Sequence, residues 1–250
     1  MPVRMINILI ALTAGAAVFA AIYLPGLLNL GESIAPGVLV AMVAYFLLVR
    51  RTFKQLEKIF MAATKAAQTQ PPRLEKAVTI LESAYTLAKV QIGVRSQVDA
   101  QIGSIYFIQK EFKKAEPYLS RSSGFSHWIP TAMLAVVHYK RKDHEAMRKT
   151  LEIVTKRGKK QGLAWNLRAY LLCQIGERDA AQRVLVEGVK KTGDDAKVRE
   201  ALLQLQNGKK IKMRGYKEQW YQFHLEQPPA RYTQQQMPMR VGKIARRGRW

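Results

Sequence analysis

Ile102-Gly103-Ser104-Ile105-Tyr106, followed by Lys110-Glu111-Phe112-Lys113-Lys114-Ala115 and then Leu119, is the stretch whose reading decides the fold. Apolar residues recur at three and four positions on either side of a polar break, the pattern of two amphipathic helices joined by a short turn. The arrangement returns twice. The second copy is Leu134-Ala135-Val136-Val137-His138, then Lys142-Asp143-His144-Glu145-Ala146-Met147, then Leu151. The third is Trp165, Arg168-Ala169-Tyr170-Leu171-Leu172, then Gly176-Glu177-Arg178-Asp179-Ala180-Ala181, then Leu185. The residue that opens each second helix recurs at Ala115, Met147 and Ala181, at intervals of 32 and 34. Repetition at this period marks stacked helix pairs, each with an apolar face it buries only against its neighbours. Small residues at Gly103, Ala135 and Ala169 are expected to let paired helices approach closely.

These segments resemble the tetratricopeptide repeat, which has a period of about 34, a small residue and then an aromatic in its first helix, and a small residue in its second. Gly103, Tyr106 and Ala115 match one repeat; Trp165, Ala169 and Ala181 match another. The middle repeat departs from the pattern, with His138 at the aromatic position and Met147 at the small one. An earlier second helix is legible in Leu74-Glu75-Lys76-Ala77-Val78-Thr79-Ile80-Leu81, its partner being residues 53–67, either a separate helix or one continuous with the apolar run before it. The resemblance covers residues 53 to about 190. It implies an α-solenoid whose concave groove is lined by first-helix residues. Counted from Ser96, Trp128 and Gly162, these are Phe107, Ile108, Tyr139, Lys140, Asn166, Tyr170 and Gln174. Aromatic and amide groups there suit an extended peptide or an amphipathic helix; the competing reading is that some of them only pack between repeats. The carboxylate clamp of one subclass of the family is missing, because its first-repeat positions are Ala100 and Ser104 here.

On the N-terminal side the character changes. No charged residue occurs from Met5 to Leu24, a stretch that as a helix spans about 30 Å, the thickness of a hydrocarbon core. Pro25-Gly26 ends it, and a second uncharged run follows from Ile34 to Val49. Arg4 precedes the first run, and Arg50, Arg51, Lys54 and Lys58 follow the second. The loop between them holds Glu32 and no Lys or Arg. The positive-inside rule then puts both ends in the cytoplasm, with the expected location a bacterial inner membrane. Two other readings stay open: a signal peptide cleaved near Ala14-Gly15-Ala16-Ala17, and a re-entrant second segment trimmed at Pro36.

On the C-terminal side, Asp194-Asp195 open a helix to Gln206, and a capping helix is expected over 207–226. It would carry Tyr216, Trp220 and Phe223 on one face, either to seal the open end of the solenoid or to dock a partner. The tail from 227 to 250 reads as disordered and basic. Arg231, Arg240, Lys243, Arg246, Arg247 and Arg249, with Tyr232 and Trp250, suit anionic lipid or single-stranded nucleic acid.

The whole chain, 250 residues, carries a formal charge of +23 from 41 Lys and Arg against 18 Asp and Glu. That balance favours anionic partners. Lys140-Arg141-Lys142, Arg148-Lys149 and Lys156-Arg157-Gly158-Lys159-Lys160 form either a solvated face or one pressed onto headgroups. One cysteine, Cys173, excludes an intramolecular disulfide and reads as a small buried hydrophobe. His127, His138, His144 and His224 never fall four apart on one helix, and neither Gly158-Lys159 nor Gly208-Lys209 has the earlier glycine of a phosphate loop. No cofactor or metal is expected. The composite expectation is an all-α, non-enzymatic chain: a transmembrane helical hairpin over 1–52 (spans 5–24 and 34–50), tetratricopeptide-like repeats over 53–206, a capping helix and a basic tail. It would act as a membrane-anchored scaffold for protein–protein interaction, the alternative being a membrane-tethered RNA or ribosome binder.

Overall fold

The computed structural model describes residues 6–69, 73–122, 124 and 127–229. All regular structure among them is helical. The tail residues Arg231 to Arg249 lie outside the described residues. The chain divides into two units, one reaching to Val98 and the other starting at Asp99.

In the first unit, α1 (Ile6–Tyr23) and α2 (Leu30–Ala67) form an antiparallel hairpin, followed by α3 (Leu74–Ser83) and a 3-10 turn (Ala84–Lys89). The hairpin closes through small residues. A methyl group added to Gly15 would lie 2.6 Å from the Gly37 carbonyl oxygen and 2.7 Å from Ala41 Cβ, so the two backbones nearly touch. Asn7, Ala11 and Gly15 form the buried face of α1, at spacings of four. The remaining faces are apolar and uncovered: Leu9, Leu12, Leu39, Met42, Phe46 and Leu47 are all more than half exposed. Both helices are long and apolar enough to cross a membrane, and over their most apolar windows only 17% and 11% of the residues are buried.

The second helix differs from the expected 34–50. It starts at Leu30, after the Asn29 amide donates to Glu32 Oε2 at 3.4 Å, and continues to Ala67. Residues 50–67 contain no Gly or Pro, so nothing interrupts the helix where the charged residues begin. Residues 53–67 are therefore the continuation of the second apolar helix.

In the second unit, helices come in pairs: α4 (Val94–Ile108, from Asp99 onward) with α5 (Phe112–Ser122), α6 (Trp128–Lys140) with α7 (His144–Arg157), and α8 (Gly162–Gln174) with α9 (Arg178–Thr192). Each pair is joined by the same turn. The amides of Lys110 and Glu111 donate to the carbonyls of Phe107 and Tyr106. Those of Lys142 and Asp143 donate to Tyr139 and His138, and those of Gly176 and Glu177 to Cys173 and Leu172. The first residue of each couple has positive φ, at 64°, 61° and 89°. This is the nested hydrogen-bond pattern that satisfies a helix's last carbonyls. It recurs at the 32- and 34-residue intervals of the sequence. Ala115, Met147 and Ala181 are fully buried, as are Leu119, Leu151 and Leu185. At Gly103 a methyl would lie 2.8 Å from Leu119 Cγ, the close approach its small size was expected to allow. Helix α10 (Ala196–Gln206) follows, with the Asp195 carboxylate accepting from the Lys197 and Val198 amides at 2.8 and 3.3 Å.

No helix spans 207–226. That segment contains a 3-10 turn (Arg214–Tyr216) and a single α-turn, α11 (Glu218–Tyr221), with Lys217 and His224 both at φ 52°. The sequence explains the difference. Gly215 weakens the middle of the expected helix. Lys209, Lys210, Lys212 and Arg214 would crowd its positive N-terminal end. The aromatic residues gain more by reaching several neighbouring helices than by lining one face.

Candidate functional site

The residues expected to line a groove lie on α4, α6 and α8, and the chain's own C-terminal strap, residues 209–226, packs against all three helices. At one end of the strap, the Lys212 amide donates to Gln204 Oε1 of α10 at 2.7 Å. The Lys197 ammonium sits 4.6 Å over the Tyr216 ring and donates to the Gly215 carbonyl at 3.0 Å. The strap then crosses α8. Asn166 Nδ2 donates to Tyr216 Oη at 2.9 Å and to the Lys197 carbonyl at 3.1 Å. Trp220 meets the Tyr170 ring edge-on at 4.8 Å. Glu226 binds both rings' polar ends, accepting from Tyr170 Oη at 3.2 Å and from Trp220 Nε1 at 3.0 Å. The strap ends against α4, α5 and α6. Lys140 Nζ donates to the His224 carbonyl at 3.1 Å, and the His224 ring lies tilted at 5.7 Å from Phe107 and edge-on at 6.4 Å from Phe112. His224 Nε2 lies 3.1 Å from the Ile108 carbonyl oxygen, which can only accept, so Nε2 carries the proton.

Phe107, Ile108, Lys140, Asn166 and Tyr170 thus do converge on one ligand-like segment, and that segment is internal. Tyr139 is half-buried against the core, and Gln174 is exposed. Met213, Trp220 and Phe223 are completely buried, and Ile211, Tyr216 and Tyr221 nearly so. Burying a large apolar side chain is worth about 1.5–3 kcal/mol, so these residues hold the strap as part of the fold. The roles of Glu226 and His224 were not read from the sequence. Only their positions, three residues after Phe223 and one after it, hinted that they share its site.

The electrostatics follow from burial. Desolvation, with the Glu226 carboxylate second, raises the Tyr170 hydroxyl far above the usual tyrosine range. Burial likewise raises Tyr216. Burial and then the neighbouring Lys110 ammonium lower Lys140. The same two effects in the same order lower His224, against the opposing Ile108 hydrogen bond. Asn166 Oδ1 is buried with no hydrogen-bond partner among the described residues.

Elsewhere, Cys173 is half-buried rather than fully so, and burial raises its thiol against the pull of Arg178. No cluster of His, Cys, Asp or Glu among the described residues has the grouping to hold a metal ion. The basic runs divide. Arg141 pairs with Glu116, Arg148 with Glu177, and Lys149 with Glu145. Lys142, Lys156, Lys159 and Lys160 are exposed. On the side of the second helices, a cavity of about 300 Å³ has Leu151, Leu172 and Val184 in its lining, with Arg148, Arg168 and Arg183 among its charged groups. A shallower one of about 340 Å³ adjoins it through Arg183 and reaches Val186, which is 39% exposed.

No protein-family description, characterised protein or solved structure matches the chain.

Proposed function

We propose that the chain is a membrane-anchored helical-repeat scaffold that holds a partner protein at the cytoplasmic face of a membrane. One observation carries the reading: a hairpin with lipid-compatible outer faces is continuous with three helix pairs joined by the same turn at intervals near 34 residues. The repeated turn and the buried small positions favour the tetratricopeptide-like description over an unrelated helical bundle. In this reading the chain performs no reaction. Because the strap packs on the first helices, the partner docks on the second-helix side, along exposed Arg183 and Val186 and beside the cavity that Arg148 and Glu187 help to line.

The test is a cross-linking capture from membranes with the full chain, an Arg183→Glu/Val186→Asp variant, and a chain stopped at Gln227, each with and without nuclease. Both substituted residues are exposed, so the variant should fold normally. The scaffold reading expects a nuclease-resistant partner kept by the full and shortened chains and lost by the variant. Exposed Lys142, Lys156, Lys159 and Lys160, together with the tail arginines, favour the second reading, a membrane-tethered RNA or ribosome binder. That reading expects nuclease or truncation at Gln227 to release every partner, and binding to fall steeply with salt.

A further inference from the structure

The long helix α2 continues 17 residues past Arg50, about 25 Å at 1.5 Å per residue, and the chain then turns back along it. Helix α3 and the 3-10 turn Ala84–Lys89 both pack on α2. The return path ends in a set of polar contacts at the base of the hairpin. The Asn7 amide, one of the unpaired donors of the first turn of α1, donates to the Val90 carbonyl at 3.3 Å. Asn7 Nδ2 donates to Gln91 Oε1 at 3.1 Å and to Thr52 Oγ1 at 3.2 Å. Gln91 Nε2 donates to Tyr45 Oη at 3.3 Å. Asn7, Thr52 and Gln91 are all nearly fully buried.

These contacts fix a depth. Tyr45 lies five residues before Arg50, about 7.5 Å further along the helix into the uncharged stretch. A glutamine bonded to both Tyr45 and Asn7 therefore sits at the edge of that stretch, where a polar group must find its partners within the protein. Beside it, Leu87, Ala88, Val90 and Ile92 are only half covered by protein, while Thr86 and Lys89 are exposed.

We infer that residues 84–92 form an interfacial element that lies in the headgroup layer of the membrane, held there by the Asn7–Gln91–Tyr45–Thr52 network. This rests on the hairpin spanning the bilayer. The element would cover the cytoplasmic end of α1, place half-covered apolar side chains at the headgroup–acyl boundary, and present Lys89 to anionic lipid.

The test uses the full chain with Cys173→Ser, reconstituted in phosphatidylcholine–phosphatidylglycerol vesicles. Single cysteines at Thr86, Lys89, Glu75 and Met42 carry an environment-sensitive fluorophore, and nitroxide lipids labelled near the glycerol or near the chain middle act as quenchers. Met42 lies near the middle of the second apolar run and is more than half exposed. The expected result is blue-shifted emission at Thr86 and Lys89, with quenching mainly by the shallow nitroxide. Met42 should be quenched by the deep nitroxide, and Glu75 by neither. Adding Gln91→Ala should remove the quenching at Thr86 and leave that at Met42. Labels at Thr86 and Lys89 as unquenched as Glu75, with Met42 quenched, would overturn the inference and leave the anchor standing. Quenching at Thr86 that survives Gln91→Ala would overturn the role of the network. An unquenched Met42 would overturn the spanning hairpin itself.

Discussion

Replacing Trp220 with alanine is the sharpest probe of the strap. Its side chain is fully buried. It packs 4.8 Å edge-on to Tyr170 and 6.3 Å from Phe223, and it donates to Glu226. Truncating a buried tryptophan costs about 3–5 kcal/mol, of which roughly 0.5–1.5 belongs to the ring pair with Tyr170. Against a total stability of about 5–15 kcal/mol for a domain, that is a large share. At roughly 4 °C per kcal/mol, it lowers the melting temperature by roughly 10–20 °C. Denaturant unfolding of the detergent-solubilised chain should show the loss. A double-mutant cycle with Tyr170→Ala should return a coupling of roughly 0.5 kcal/mol or more, because the two rings touch. A Trp220→Ala cost below about 1 kcal/mol, with no coupling to Tyr170, would refute a strap that is integral to the fold, since buried aromatic truncations cost several times more.

Three further outcomes follow from the geometry. Gly15→Val forces a side chain into the Gly37 carbonyl and Ala41, and should destabilise the hairpin by about 1–3 kcal/mol in micelles; a neutral result would mean the helices do not cross there. Lys142→Gly relieves a non-glycine residue at φ 61° and should raise the free energy of unfolding by roughly 1 kcal/mol, whereas unchanged or lower stability contradicts the turn. His224 has a folded pKa below its ordinary 6.5, so the unfolded chain takes up the proton first. Its contribution to stability is therefore complete above 6.5 and falls as pH drops through the window below it, levelling off beneath the folded value; His224→Gln should flatten that part of the unfolding profile.

The repeats and the hairpin were legible because their signals are local. A turn every 32 to 34 residues, small residues where helices touch, and uncharged runs of membrane length can all be read within a few tens of residues. The strap was misread for the same reason. Tyr216, Trp220 and Phe223 have helical spacing, and spacing alone could not show that they reach different helices, nor that Lys217 and His224 adopt positive φ. Five of the expected groove residues share contacts with one segment, but nothing local to them shows that this segment lies further along the same chain, as with Asn166 and Tyr216. The Asn7–Gln91 contact joins residues 84 positions apart and leaves no periodic trace. A lone polar residue on the buried face of an apolar helix, as Asn7 is, was the available hint.

The most direct test of the anchor is the side of the membrane on which each segment lies. In cells expressing the full chain with Cys173→Ser, single cysteines at Leu28 and at Lys113 are challenged with a membrane-impermeant maleimide before and after the membrane is opened. A spanning hairpin predicts labelling at Leu28 in closed cells and at Lys113 only after opening, with the protein resisting alkaline extraction. Labelling of both sites on the same side, or release of the chain at alkaline pH, would contradict it.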